Sequence, residues 1–175
     1  MIQTQEVLCD RMNEVDQIVD CYPSLSEEER QVFSCAAATM FSLGYKIKPD
    51  KSKTPGYTFI HPRVKKYVLR FSIQKSQPLL RMKFFATREY SDFFHQAVRA
   101  VIEEYDYRYT GCYGCGKCDG SQGYTYRYSD GRTYYRCGCE LIEITDIKNI
   151  PVAEMCSLLE KQHAFFLADP YPTGQ

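Results

Sequence analysis

Five cysteines, Cys112, Cys115, Cys118, Cys137 and Cys139, fall in one short stretch, GCYGCGKCDG…YYRCGCE, and they constrain this chain more than any other feature. Thiolates placed two or three residues apart on both sides of a hairpin can converge on one metal ion. Zinc takes four such ligands tetrahedrally, in the sequence form of a CxxC pair, a gap of roughly 15–20 residues and a second close pair. Here Cys115 and Cys118 enclose two residues, eighteen follow, and Cys137 and Cys139 enclose one. A fold that uses this set must bring the two ends of that segment together.

The thiols are expected to be reduced. MIQTQEVLCDRM carries neither the basic nor the apolar region of a secretory leader, and no stretch approaches the roughly 18 apolar residues of a membrane span. A cytoplasmic location with no membrane partner is therefore expected, where clustered cysteines are metal ligands or redox groups rather than disulfides. The total of nine cysteines is odd, which also suits free thiols. Cys9, Cys21, Cys35 and Cys156 lie in helical patterns and read as small buried hydrophobes.

Around the cysteines the periodicity predicts an α+β fold: N-terminal helices packed on an antiparallel sheet, with a zinc-ribbon-like hairpin inserted before the C-terminal helix. Residues 5–21 carry Leu8, Met12, Val15 and Val19 at helical spacing. SLSEEERQVFSCAAATMFSLG follows, with Ser26 and Glu29 set as a capping box and Gly44 as a stop. Residues 32–44 carry no charge, so this helix is expected to be deeply buried.

The period then becomes two. Tyr67, Leu69, Phe71 and Ile73 alternate with Val68, Arg70 and Ser72, and Leu80, Met82 and Phe84 alternate with Arg81 and Lys83. This predicts an antiparallel pair with one apolar and one basic face, preceded by a strand at Tyr57–Ile60. Ser91 is placed to cap a helix with Phe94, Ala97, Val98, Val101, Ile102 and Tyr105 on its apolar stripe. GYTYRYSDGRTYYRC reads as a hairpin around Ser-Asp-Gly, Leu141–Ile144 as an extension of the sheet, and Pro151 as the start of a last helix. The organisation expected is a core at 1–110, a metal-binding hairpin at 111–140, and a strand and helix at 141–175 that complete a single domain.

CYGCG resembles the knuckle of zinc ribbons and rubredoxin-like sites, in which CxxCG turns backbone amides toward the thiolates. The resemblance covers residues 111–140, and ribbon families end in CxxC where this chain has CxC. Five thiols exceed the four that one zinc needs. Cys112, Cys115, Cys137 and Cys139 form the preferred set, with Cys118 outside, and exchanging Cys112 for Cys118 gives a close rival. An iron–sulfur cluster is the alternative cofactor, and His61 could add a ligand from elsewhere. All-thiolate zinc sites are mostly closed and structural. In ligand types the set also resembles the site of a redox-regulated bacterial chaperone, which points to a thiol-based redox sensor that loses zinc on oxidation. Gly111–Cys118 mimics a phosphate loop but lacks the preceding buried strand and the closing Ser or Thr.

The net charge of zero hides three blocks. Residues 1–31 carry two basic and eight acidic side chains, residues 45–90 carry twelve basic ones against Asp50 and Glu89, and residues 91–175 carry eight and twelve. Arg63, Lys65, Lys66, Arg70, Arg81 and Lys83 in the middle block are candidates for binding an anion, with nucleic acid the first partner to consider. Tyr124, Tyr126, Tyr128, Tyr134 and Tyr135, interleaved with Arg127 and Arg136, could stack bases or fill a half-exposed hairpin. The competing reading is that the basic block pairs with acidic flanks of its own fold. No GxSxG, HExxH, GxGxxG or paired-carboxylate pattern is present. The function expected is therefore zinc binding in a non-catalytic binding or regulatory module.

Overall fold

The computed structural model describes residues 15, 16, 19, 20, 22–51, 56–75 and 77–168. Most of the helix expected at 5–21, with Cys9 and Cys21, lies outside them. Its described residues are helical, and Val15 and Val19 are buried in the core.

Helix α1 spans Glu27–Ser42 and opens as its sequence requires. The Glu29 amide donates to Ser26 Oγ at 3.3 Å, and the Ser26 amide donates to the Glu29 carboxylate at 2.8 Å. Two otherwise orphaned donors are thereby satisfied. Its uncharged stretch buries Val32, Phe33, Ala36, Ala37, Met40 and Phe41. Gly44, at φ +86°, turns the chain into the sheet.

Strands β1 (Lys46–Pro49), β2 (Gly56–Ile60), β3 (Leu69–Gln74) and β4 (Gln77–Met82) form an antiparallel meander. Helix α2 (Asp92–Glu103) follows, then a separate two-stranded hairpin of β5 (Gly123–Arg127) and β6 (Thr133–Cys137). Strand β7 (Ile142–Ile144) returns to the main sheet beside β4, pairing Ile144 with Leu80 and Ile142 with Met82. The sheet order is thus β1-β2-β3-β4-β7, and the cysteine hairpin is an excursion between α2 and β7. A 3-10 turn at Ile147–Asn149 leads to α3, Val152–Ala168. The strand β1 was not marked by the sequence, because KIKP is too short and too charged to show alternation.

The core lies between the helices and the apolar face of the sheet. Phe33 of α1 stacks on Phe71 of β3 with centroids 4.3 Å apart and rings parallel within 1°. Phe59 meets Phe71 edge-on at 5.3 Å, and Phe84 meets Phe94 of α2 at 5.2 Å. Such ring pairs add about 0.5–1.5 kcal/mol each beyond area burial. Two expectations for α2 fail at its ends. Ser91 makes no side-chain cap; its amide instead donates to Glu154 of α3 at 2.6 Å. Tyr105 lies past the helix end and is exposed rather than inward.

Candidate metal centre

Three backbone contacts bring the two ends of the cysteine segment together. The Gly111 amide donates to the Tyr135 carbonyl at 2.7 Å, on the flank of β6 away from β5. On the other flank Gly123 pairs with Cys137, and the Gly138 amide donates to the Gln122 carbonyl at 2.8 Å. Residues 112–122 therefore leave one side of β6 and return on the other, enclosing the strand end that carries Cys137. Gly138 is required here: an added Cβ would lie 2.6 Å from Phe85 Cδ1 and 2.7 Å from Gln122 O.

Within that loop one local device recurs. The Gly114 amide donates to Cys112 Sγ at 3.4 Å, and the Gly120 amide donates to Cys118 Sγ at 3.3 Å. The amides of Cys139 and of Tyr113, the second from the other arm, also favour the Cys137 thiolate. At Cys112, Cys118 and Cys137 alike an amide two residues ahead thus favours the thiolate. The cause in sequence is C-x-G at 112–114 and 118–120 and C-x-C at 137–139; Gly114 and Gly120 take the positive φ values the turns need.

The side chains of Cys137 and Cys139 interact with each other. Burial pushes Cys137 up, yet the Cys139 amide and thiol, the Tyr113 amide and the Lys83 ammonium together hold it below the ordinary thiol value. Burial, the interaction with Cys137 and its charge push Cys139 up to about 12. Tyr135 bonds the Gly120 carbonyl at 3.2 Å, and its phenol is pushed up to about 12 by burial and then by the charges of Cys137, Cys118, Cys112 and Cys139. Cys112, Cys115 and Cys139 are exposed, Cys118 half-buried and Cys137 buried, and all five are free thiols. Among the described residues no three His, Cys, Asp or Glu side chains are close enough together to hold a metal ion as the chain stands.

Two cations lie buried beside the thiols, and the sequence did not single out their role. Lys83 is 7% exposed, and its ammonium donates to the Cys139 carbonyl at 2.7 Å. Burial pulls it down to about 8, against the opposing pull of Cys139, Glu140 and Cys137. Arg136 is 9% exposed and donates to the Tyr109 carbonyl at 2.7 Å and the Tyr113 hydroxyl at 2.9 Å, while its Nε has no partner. Among the described residues neither makes an ion pair with a carboxylate. A signal was present: Lys83 sits inside the apolar run LLRMKFF, and Arg136 directly precedes Cys137.

The basic face is consumed differently from the way the alternation suggested. Arg70 and Arg81 stand directly opposite each other across β3 and β4, a repulsive register on its own. Each is held from its outer side. Arg70 makes a two-pronged pair with Asp50, at 2.8 and 2.7 Å, and Arg81 does the same with Glu143 of β7, at 2.7 and 2.6 Å. Arg81 also donates to Ser72 and Gln74. With Lys83 buried, three of the six candidate anion-binding residues are engaged inside the fold. Lys66 lies over the Phe166 ring at 4.8 Å, and Arg63 and Lys65 are exposed.

The tyrosine platform is likewise covered. Tyr124 is buried against Phe84 and Phe85, and Tyr134 stacks on Tyr107 at 4.7 Å. Tyr128 bonds Glu103 of α2 at 2.8 Å and lies under Arg99 and Arg132. Tyr135 lies across Gly123.

His61 is not placed as a ligand. Its Nδ1 accepts the Arg63 and Val64 amides, both at 3.2 Å, which fixes the neutral ring with its proton on Nε2. It packs at 5.2 Å from His163, whose Nδ1 lies 3.3 Å from the Tyr45 hydroxyl. Nothing local in the sequence links these two histidines. A shallow depression of about 370 Å³ beside β1–β3, lined by Lys48, Asp50, Lys51, Thr58, Tyr67 and Arg70, holds no cysteine and no histidine. Among the described residues no helix is long and apolar enough to cross a membrane. No protein-family model matches the chain, and no curated protein and no solved structure gives a match.

Proposed function

We propose that this chain is a zinc-binding, non-catalytic module in which thiolates drawn from Cys112, Cys115, Cys118, Cys137 and Cys139 tie the 111–140 hairpin to the core. The observation that carries the reading is the turn, repeated at Cys112 and Cys118, in which an amide two residues ahead donates to the cysteine sulfur, in a loop whose ends flank the strand that carries Cys137. Those amides favour thiolate over thiol, and thiolate is the form that binds zinc. The metal would close the loop and draw the exposed sulfurs inward. Its role is structural, because four thiolates leave no position for water. The module serves binding or regulation in the cytoplasm.

Elemental analysis of protein purified under reducing conditions tests this directly: one zinc per chain is expected. Protein without metal would end the proposal, and iron with matching sulfide would replace zinc by a cluster. A second reading, a redox sensor, draws on the three exposed thiols. It requires that mild peroxide release the zinc, and retention through full thiol-reactive doses removes it. Nucleic acid, the partner drawn from the basic strands, receives little support, since Arg70, Arg81 and Lys83 are engaged internally and the tyrosine rings are packed.

A further inference from the structure

Charge balance around the hairpin narrows the zinc reading to a particular ligand set, and the narrowing rests on that reading. Four thiolates around a divalent cation carry a net charge of −2. Of these sulfurs Cys137 is buried and Cys118 half-buried, and negative charge held there out of water is costly unless a cation lies beside it. The fold supplies two cations there that have no other evident purpose. Lys83 and Arg136 are each more than nine-tenths buried, neither makes an ion pair with a described carboxylate, and Arg136 Nε has no partner. Without a neighbouring anion, two such groups would be a liability of the kind that folds rarely keep. Glu140 faces the same region and offsets part of one charge. Lys83 touches the Cys139 backbone, and Arg136 reaches the cysteine arms through the Tyr113 hydroxyl.

The same geometry separates the five thiols. Cys112 Sγ would lie 3.9 Å from a Cβ on Gly120, and the Gly120 amide contacts Cys118 Sγ, so both sulfurs border one residue. That residue's carbonyl bonds the Tyr135 hydroxyl, two positions before Cys137. The Cys137 and Cys139 side chains already interact with each other. Cys115 is exposed, receives no amide hydrogen bond among the described residues, and lies between the two C-x-G turns. We propose that Cys112, Cys118, Cys137 and Cys139 form the seat for one divalent zinc-class cation, that Lys83 and Arg136 balance its double negative charge, and that Cys115 stays outside. This reverses the preference drawn from spacing, which chose the CxxC neighbour Cys115 over Cys118.

The test combines alkylation and metal content. In zinc-loaded wild-type protein under native conditions, iodoacetamide followed by peptide mass spectrometry is expected to modify Cys115 and to spare the other four clustered thiols. The variant Cys115→Ala should keep one zinc per chain, and Cys118→Ala should lose it. Lys83→Met and Arg136→Met should each weaken zinc about 10–100-fold in a chelator competition, the range for groups just beyond the ligands. Protection of Cys115 with alkylation of Cys118, or zinc kept by Cys118→Ala and lost by Cys115→Ala, would overturn the ligand set and leave zinc binding standing. Unchanged affinity in both cation variants would overturn the charge-balancing role. A wild-type protein free of metal removes the broader proposal, so the two failures are distinct. Should a variant not fold, the alkylation pattern of the wild-type chain still decides.

Discussion

Tyr124→Phe isolates the bond that fastens the hairpin to the core. Tyr124 is 1% exposed, its ring packs on Phe84 at 4.9 Å, and its hydroxyl accepts the Phe84 amide at 3.0 Å. Phe84 is itself fully buried, so no water replaces the lost acceptor. The substitution keeps the ring and its contacts. It strands one interior N–H, which costs about 1–3 kcal/mol, well above the roughly 1 kcal/mol net value of an ordinary hydrogen bond. A central figure of about 2 kcal/mol corresponds to a Tm lower by about 4–8 °C in a chain of this size. Urea denaturation should show a lower midpoint with an unchanged slope, because the surface exposed on unfolding is the same. Amide exchange at Phe84 should accelerate as well. The companion Tyr126→Phe, on a half-buried ring with no hydroxyl bond among those the structure records, should stay within about 0.5 kcal/mol of wild type. A Tyr124→Phe protein as stable as its Tyr126→Phe companion would refute the claim that this hydroxyl links hairpin to core.

Acid should destabilise the protein through the paired histidines. Burial and then Arg63 hold His61 below the ordinary imidazole value, and burial, His61 and Arg63 do the same for His163. The folded state therefore prefers both rings neutral; their contribution is present above the unfolded value near 6.5 and is lost as pH falls from there through the lower folded values. Thermal melts at pH 7.5 and 5.5 should show that loss, and His163→Gln should lessen it; an equal loss in the variant would contradict the assignment. Gly138→Ala should cost about 1–3 kcal/mol by overpacking against Phe85 and the Gln122 carbonyl, read from the denaturation midpoint. A neutral Gly138→Ala would mean that the strand end yields more readily than its contacts imply.

Local patterns account for most of the architecture. The capping box at Ser26 and Glu29, the apolar stripe of α2 and the alternation in β3 and β4 all describe backbone periods and nearest neighbours, and these elements formed, although Tyr67 falls before β3 and is exposed, Phe84 falls after β4, and Lys83 is buried rather than on a basic face. The Ser-Asp-Gly turn closed the hairpin, with Gly131 at φ +89° and the Tyr128 amide bonded to the Arg132 carbonyl. The return of Ile142–Ile144 to the sheet was also legible, as a short apolar run after the hairpin. Where the reading fell short, at Ser91 and Tyr105, a distant group had intervened or the helix ended a turn early.

The site is a different matter. Spacing gave the expectation that the thiols gather and preferred Cys115 to Cys118, although both obey the same CxxC arithmetic. It could not show that Arg70 ends on Asp50, that Arg81 ends on Glu143, or that His61 meets His163. The chain itself determined periods, turns and caps, since these depend on a few adjacent residues whose dihedral preferences and hydrogen bonds are local. Tertiary structure decided which charges are neutralised and which are left buried beside sulfur, because electrostatic partners are set by distance in space, and β7 and α3 reach theirs only after the sheet has assembled.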